Sequence, residues 1–387
     1  MTSRPLACDI FCTVVDNFGD VGVAWRLARQ LAADYQWSVR LWVDDLATFA
    51  HLAPGFDAGK RWQRYGDVVI EHWGDALGDG ETLQIADVVI EAFGCDLPPV
   101  YLGAMAERSP APVWINLDYL SAEDWVGDFH LRPSPHPRLP LTKWFFFPGL
   151  GPHTGGVLIE RGLASAREAF QADPVARRAL FASLGIGAPA DGTLVVSLFA
   201  YENPAVANLL GEWRDGAAPV LVLVPVGRIG PEIAHFLGVE SFDASTRATR
   251  GALTVQALPF VDHPRYDQLL WSCDLNFVRG EDSFVRAQLA ARPFVWHIYP
   301  QQDDAHLPKL EAALALYSRN LNAPAAGALR SFWLRWNGMP QGEAGRWMEY
   351  LQHRAELDKC ARDWLAELEA PGDVAANLAE FVESRLK

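Results

Sequence analysis

Cysteine is scarce in this chain, and its few copies do not suggest pairing. The 5 cysteines, Cys8, Cys12, Cys95, Cys273 and Cys360, are odd in number, scattered, and mostly set in apolar runs. That pattern argues against a disulfide framework and fits reduced thiols in a cytoplasmic protein. Cys8 and Cys12 make no zinc half-site, because no second Cys/His pair at ligand spacing follows them. Basic tracts are missing as well. Lys and Arg total 33 against 48 Asp and Glu, a formal net charge of −15. A chain so acidic is a poor binder of nucleic-acid backbones. No run of roughly 18 uncharged apolar residues occurs, so no membrane-spanning helix is expected. The N-terminal MTSRPLACDIF has neither the apolar segment nor the cleavage site of a secretory signal. Internal repeats and low-complexity tracts are absent.

Several familiar catalytic signatures are absent too. There is no G-x-x-x-x-G-K-[ST] loop, no G-x-S-x-G elbow and no HExxH pair, so His263 and His297 have no metal-binding context. Asp44-Asp45 and Asp303-Asp304 are adjacent acid pairs of the kind that cap helices or face solvent.

What is present describes a globular α/β protein. Apolar residues make up 50% of the chain and charged residues 21%, an ordinary folded composition. A length of 387 residues suggests two domains. The 15 Trp, 20 Phe and 9 Tyr supply core volume and leave some rings for ligand faces. Short β-type runs alternate with helical spacing in two blocks. The first block holds CDIFCTVV (8–15), SVRLWV (38–43), DVVIEHW (67–73), ADVVIEAF (86–93) and APVWINL (111–117). Val23, Leu27 and Leu31 mark one buried stripe on a helix starting near Asp20. Residues 128–156, with repeated prolines and glycines, read as a connection out of the first domain. One helical stretch, 164–184, follows. The second block holds TLVVSLFAY (193–201), APVLVLVPV (218–226), GALTVQALPF (251–260), CDLNFVRG (273–280) and RPFVWHIY (292–299), with helices expected at 264–272 and 282–291. Beyond residue 304 the chain looks helical, with Trp333, Trp336, Trp347 and Trp364 as packing anchors. Strand followed by helix, repeated, implies doubly wound parallel sheets, whose ligands bind at the carboxyl ends of the strands.

Two such strand ends carry chemistry. The first is the turn Asp16-Asn17-Phe18-Gly19-Asp20. Asp20 could simply be a helix N-cap, with Gly19 and Gly22 permitting a tight turn. GDVG is too short for a dinucleotide fingerprint, and two carboxylates would repel a pyrophosphate. The acidic turn suits a cationic or proton-donating guest instead. The second is Arg279-Gly280-Glu281-Asp282-Ser283, which ends a strand and opens a helix. It is either a capped helix beside an Arg–Glu pair, with Asp282 or Ser283 as N-cap, or an anion site using helix N–H groups, the Ser283 hydroxyl and the Arg279 guanidinium. Phe260, Tyr201 and Tyr299 also follow strands; Phe260 could stack on a base or fill the core.

Taken together, DIFCTVVDNFGDVGVAWRLARQLA, VRLWVDD, VIEAFGCDLP, NLDYLSAEDW, PGLGPHTGG and RGEDSFVRAQLAARPFVWHIYPQQDDAHLPKL strongly resemble the EarP family. These are the protein-arginine rhamnosyltransferases that modify translation elongation factor P. The matching segments run from residue 9 to about 310; beyond about 320 only the helical character matches. The resemblance implies a GT-B glycosyltransferase, two Rossmann-like doubly wound domains facing across a cleft. Their expected extents are 1–160 for the acceptor side with the catalytic carboxylates and 161–365 for the nucleotide-sugar domain. A last helix, 366–387, would pack back on the first domain. It also implies transfer of rhamnose from TDP-β-L-rhamnose to an arginine of elongation factor P, with inversion, without metal or other cofactor, in the cytoplasm. By position, Asp16, Asp20 and Glu281 would be catalytic, with Asn17, Phe18 and Gly19 completing the loop. Tyr201, Phe260, Arg279, Asp282, Ser283 and Tyr299 would contact the donor, and His263, where the family varies, would do so through its backbone. A GT-B enzyme with a sugar or small-molecule acceptor, or a non-catalytic nucleotide-sugar-binding protein, is the alternative.

Overall fold

The computed structural model describes residues 4–15, 18–74, 83–342 and 344–386. The chain folds as two compact units, one of Met1–Arg161 with Glu367–Lys387 and a second of Gly162–Ala366.

The first unit is built on a sheet of β1 (Ala7–Cys12), β2 (Ser38–Val43), β3 (Trp62–Tyr65), β4 (Val68–His72), β5 (Val88–Ala92), β6 (Val113–Leu117), β7 (Pro133–Pro135) and β8 (Thr142–Phe146). The strands lie in the order β3-β4-β2-β1-β5-β6-β8-β7. They run parallel except at the edges, where β3 and β7 are antiparallel to β4 and β8. The short edge strands WQRY and PSP lack an apolar run, so sequence pattern does not reveal them. The proline-rich stretch 128–156 is therefore not a connection out of the domain: it supplies β7 and β8.

Helix α1 (Phe18–Tyr35) buries more than the one stripe its spacing predicts: Val21, Ala24, Trp25, Arg26, Leu27, Gln30 and Leu31 are all buried. The reason is a second cover. The C-terminal helix Val374–Leu386 packs against α1 and β6. Asp373, at its start, accepts N–H groups from Gln30 (2.9 Å), Ile159 (2.8 Å) and Ala376 (3.0 Å). Close backbone approach locks this in place. Gly156 has φ +74°, and a Cβ there would lie 1.8 Å from the Gly372 carbonyl oxygen, so no other residue fits. Gly149 against Thr154, Gly155 against Phe146 and Gly156 against Gly372 thus serve packing in PGLGPHTGG, while Gly151 has open space around it.

The second unit carries β9 (Leu194–Leu198), β10 (Val220–Pro225), β11 (Arg247–Arg250), β12 (Leu253–Leu258), β13 (Leu275–Arg279) and β14 (Phe294–His297), in the order β11-β12-β10-β9-β13-β14. Only β11, a polar RATR edge strand, is antiparallel. Runs such as VLVLVP are buried throughout, as expected of a parallel sheet covered on both faces. The single helix expected at 164–184 is two, Leu163–Ala172 and Pro174–Ser183. Pro174 cannot continue the first helix, and Asp173 caps the second by accepting the Val175 N–H at 2.8 Å. Trp333, Trp336, Trp347 and Trp364 are buried.

Candidate active site

In each sheet the strand order reverses beside the first strand of the unit, at β1/β5 and at β9/β13. Loops leaving the carboxyl ends of such a pair diverge to opposite faces and open a crevice.

At the first switch point β1 stops at Cys12, short of the expected 8–15, because the next amides turn to carboxylates. The Val14 N–H donates to Asp44 Oδ1 and the Val15 N–H to Asp20 Oδ2, both at 2.9 Å. Asp20 is 3% exposed and is not an N-cap. Helix α1 begins at Phe18, so Asp20 lies in its first turn, where a negative charge suits the helix dipole. Phe18 meets His51 edge-on at 5.6 Å, and Gly19 is half-buried. Asp16 and Asn17 lie outside the described residues. Of the adjacent acids, Asp45 caps helix α2 (Leu46–Leu52) through Thr48, whose N–H and hydroxyl bonds hold its carboxyl below the usual range. Asp44, not singled out from sequence as a loop residue, braces the β1–α1 turn. Burial, and next the Asp20 charge, push the Cys12 thiol well above its ordinary value, so it is no nucleophile here.

Across the same switch point, β5 leads into Phe93-Gly94-Cys95-Asp96. Phe93 (φ 59°) and Asp96 (φ 45°) are both left-handed. Non-glycine residues rarely adopt that conformation, and it concentrates at functional turns. The Phe93 ring stacks on Tyr119, centroids 4.6 Å apart and planes 23° from parallel. The sequence reads VIEAF as the end of a strand but gives the following GCDLP no role, since positive φ at Phe93 and Asp96 leaves no compositional trace.

The second switch point gathers most of the residues picked out in that block. Arg279, at the end of β13, is 6% exposed. Its guanidinium lies 4.3 Å from the Phe199 ring centroid and 4.7 Å from that of Tyr201, and Nη1 donates to the Ala200 carbonyl at 3.3 Å. Tyr201 in turn meets His297 at 5.3 Å and Tyr299 at 5.4 Å, both edge-on. Burial, and next the Arg279 cation, push the His297 imidazole down to about 4, so at neutral pH it adds no second charge. Gly280 takes φ +60° and turns the chain into the helix Asp282–Leu289. Glu281 is its N-cap position but makes no side-chain cap bond, and Asp282 and Ser283 are already helical. Neither of the expected caps is therefore one. The Ser283 hydroxyl instead closes the turn, accepting the Arg279 N–H at 3.0 Å and donating to the Arg279 carbonyl. The first helical turn still presents backbone N–H groups suited to an anion.

Phe260 lies two residues past β12 and is half-buried, as a ring on a sheet edge would be. His263 is buried as the first residue of the helix His263–Ser272, which Asp262 caps through the Arg265 N–H at 3.0 Å. The two helices next to this edge are tied by a buried pair: Arg286 Nε and Nη2 donate to Asp267 Oδ1 and Oδ2 at 2.9 and 2.8 Å. A cavity of about 480 Å³ elsewhere in the unit, lined by Leu209, Phe332, Trp336 and Met339, includes none of these residues. Among the described residues no three His, Cys, Asp or Glu side chains group as metal ligands, and no helix is long and apolar enough to cross a membrane.

Comparison with known proteins matches this arrangement. Residues 8–383 fit the model of the family described as Elongation-Factor P (EF-P) rhamnosyltransferase EarP. The protein-arginine rhamnosyltransferase of Pseudomonas putida is 48% identical over 381 residues, covering 98% of this chain and 99% of its own. That of Pseudomonas aeruginosa is 47% identical, with 96% and 98% covered. A solved structure described as the structural basis for EarP-mediated arginine glycosylation of translation elongation factor EF-P superposes with a TM-score of 0.68 at 36% identity, over 98% of this chain and 99% of that one. Acinetobacter baumannii MurG, 14% identical, shares the fold at a TM-score of 0.50 over 98% and 100% of the two chains. Two Rossmann-like units in tandem are the architecture of GT-B glycosyltransferases, and the chain belongs to the EarP family of elongation factor P rhamnosyltransferases.

Proposed function

We propose that this enzyme transfers rhamnose from TDP-β-L-rhamnose to an arginine side chain of elongation factor P, inverting the anomeric centre without a metal ion. The cytoplasm, where translation factors work, is then its place of action. The observation that carries the donor half is the Arg279 cluster: a buried cation between aromatic rings, beside a helix N-terminus, at the carboxyl edge of a parallel sheet. A diphosphate finds there a fixed positive charge and backbone N–H donors, with Phe260 for the thymine and Tyr201, His263, Asp282, Ser283 and Tyr299 around it.

The acceptor half belongs to the first unit. An arginine is a poor nucleophile, because its charge is delocalised and its pKa exceeds about 12. Asp20, with Asp16 as partner and with Asn17, Phe18 and Gly19 between them in the chain, would hold the guanidinium and localise electron density on one nitrogen. The N–C1 bond forms as the C1–O bond to the diphosphate breaks, and the guanidinium proton passes to a carboxylate. Glu281 is the third carboxylate of the scheme. Departing TDP carries its negative charge to Arg279 and the helix N–H groups. Intact-mass analysis of elongation factor P after incubation with the protein and TDP-rhamnose tests the whole. One added deoxyhexose on an arginine is expected, and an unchanged mass refutes the assignment.

Two further outcomes follow from the donor site. Because Arg279 and the helix terminus serve the diphosphate, EDTA leaves the initial rate unchanged. A loss restored by added magnesium contradicts this. Phe260→Ala weakens both TDP-rhamnose and free TDP by about 5- to 150-fold, the equivalent of roughly 1–3 kcal/mol of base stacking, while Phe260→Trp retains most of the affinity. A lowered melting temperature with unchanged TDP affinity would show that the ring is core packing instead.

A further inference from the structure

The turn that carries Asp20 is held by a residue from a neighbouring strand end. Residues 13–15 lie beyond β1, outside the sheet ladder; Thr13 and Val14 are half-buried and Val15 is 67% exposed, so packing alone does not fix them. Directed hydrogen bonds do. Asp44, the first residue after β2, takes the Val14 N–H, and the next amide, Val15 N–H, goes to the Asp20 carboxylate. On the other side, the Trp73 indole N–H donates to the Cys12 carbonyl at 3.0 Å, and its ring meets Phe11 edge-on at 5.5 Å. Asp44 is itself anchored. Its carbonyl lies 3.0 Å from His72 Nε2, and the preceding Val43 carbonyl accepts the Trp73 N–H at 3.2 Å.

We infer that Asp44 is a positioning residue for the transfer reaction: by fixing the Val14 peptide it fixes the Val15 N–H that orients the Asp20 carboxylate. Asp44 touches no reacting group in this scheme; it acts through two consecutive amides. The inference rests on Asp20 being the acceptor-side carboxylate proposed above. A hydrogen-bond acceptor is what the role needs, and a negative charge is not. Asparagine can therefore replace Asp44 and alanine cannot. Misplacing a catalytic group by about 1 Å can cost roughly 100-fold in rate, which sets the scale of the effect.

The test compares wild type, Asp44→Ala, Asp44→Asn and Trp73→Phe for kcat on elongation factor P, donor affinity by calorimetry, and melting temperature. Asp44→Ala should lose roughly 10- to 100-fold in kcat while donor affinity stays within about twofold. Asp44→Asn should remain within about threefold of wild type. Trp73→Phe, which keeps the ring on Phe11 but removes the bond to Cys12, should lose about three- to tenfold, and it carries the test if Asp44→Ala does not fold. Full activity in Asp44→Ala overturns the inference, as does an Asp44→Asn loss equal to that of alanine, which would assign the effect to charge. With Asp44→Ala unfolded, a wild-type kcat in Trp73→Phe overturns it. An inactive wild type refutes the parent function itself, whereas an active wild type with an unimpaired Asp44→Ala refutes only the positioning role.

Discussion

Asp20→Asn is expected to bind TDP-rhamnose as the wild type does yet transfer it roughly 10²- to 10⁴-fold more slowly, the usual cost of losing a positioned base. Asparagine keeps the shape of the side chain and an oxygen able to accept the Val15 N–H, now bonded at 2.9 Å. What disappears is the negative charge and the capacity to take a proton. Donor affinity should be untouched, because Asp20 belongs to the first unit and the Arg279 cluster to the second. Single-turnover mass spectrometry of elongation factor P gives the rate, and calorimetry with TDP-rhamnose gives the affinity. Parallel loss of both, accompanied by a fall in melting temperature, would show that this buried carboxylate serves the helix start and not the reaction.

The second large effect is on stability. Asp267→Ala should destabilise the second unit by about 3–5 kcal/mol, because it leaves the Arg286 guanidinium buried without its carboxylate. Both side chains are almost wholly inaccessible, Asp267 at 6% and Arg286 at 2% exposure. For a unit of this size such a loss corresponds to a melting temperature lower by roughly 6–20 °C. Replacing both partners with apolar residues of similar volume, as in Asp267→Leu with Arg286→Met, should recover much of it, since the desolvation of two charges is removed along with their attraction. The pair joins the helices that begin beside Phe260 and Arg279. Donor affinity in Asp267→Ala, measured below its transition, should therefore fall as well. A single variant that melts within a degree or two of wild type would mean that the guanidinium finds other partners.

Fold class and strand positions were legible because parallel, buried strands write themselves as short apolar runs. SVRLWV coincides with β2, and VVIEA and VLVLVP lie inside the runs read as strands. The family was legible in strings such as RGEDSFVRAQLAARPFVWHIY, and the switch-point rule led from those runs to Asp20, Arg279 and Tyr201. Periodicity does not reveal edges. WQRY, PSP and RATR became strands only because a neighbouring strand offered hydrogen bonds to otherwise polar sequences. Nor does a one-dimensional pattern show which of several polar partners a backbone group will choose. Asp20 and Ser283 both look like helix caps in the sequence. In the fold Asp20 reaches back to Val15, and Ser283 folds onto the Arg279 peptide. Asp44 and Val14 are 30 residues apart and meet only because β1 and β2 pair in parallel, register Cys12 with Val43. The sequence alone therefore determined the two sheets and the residue types at their carboxyl edges, because burial and propensity act locally along the chain. The tertiary structure alone decided which carboxylate holds which amide, because that choice depends on strands brought together from distant parts of the chain.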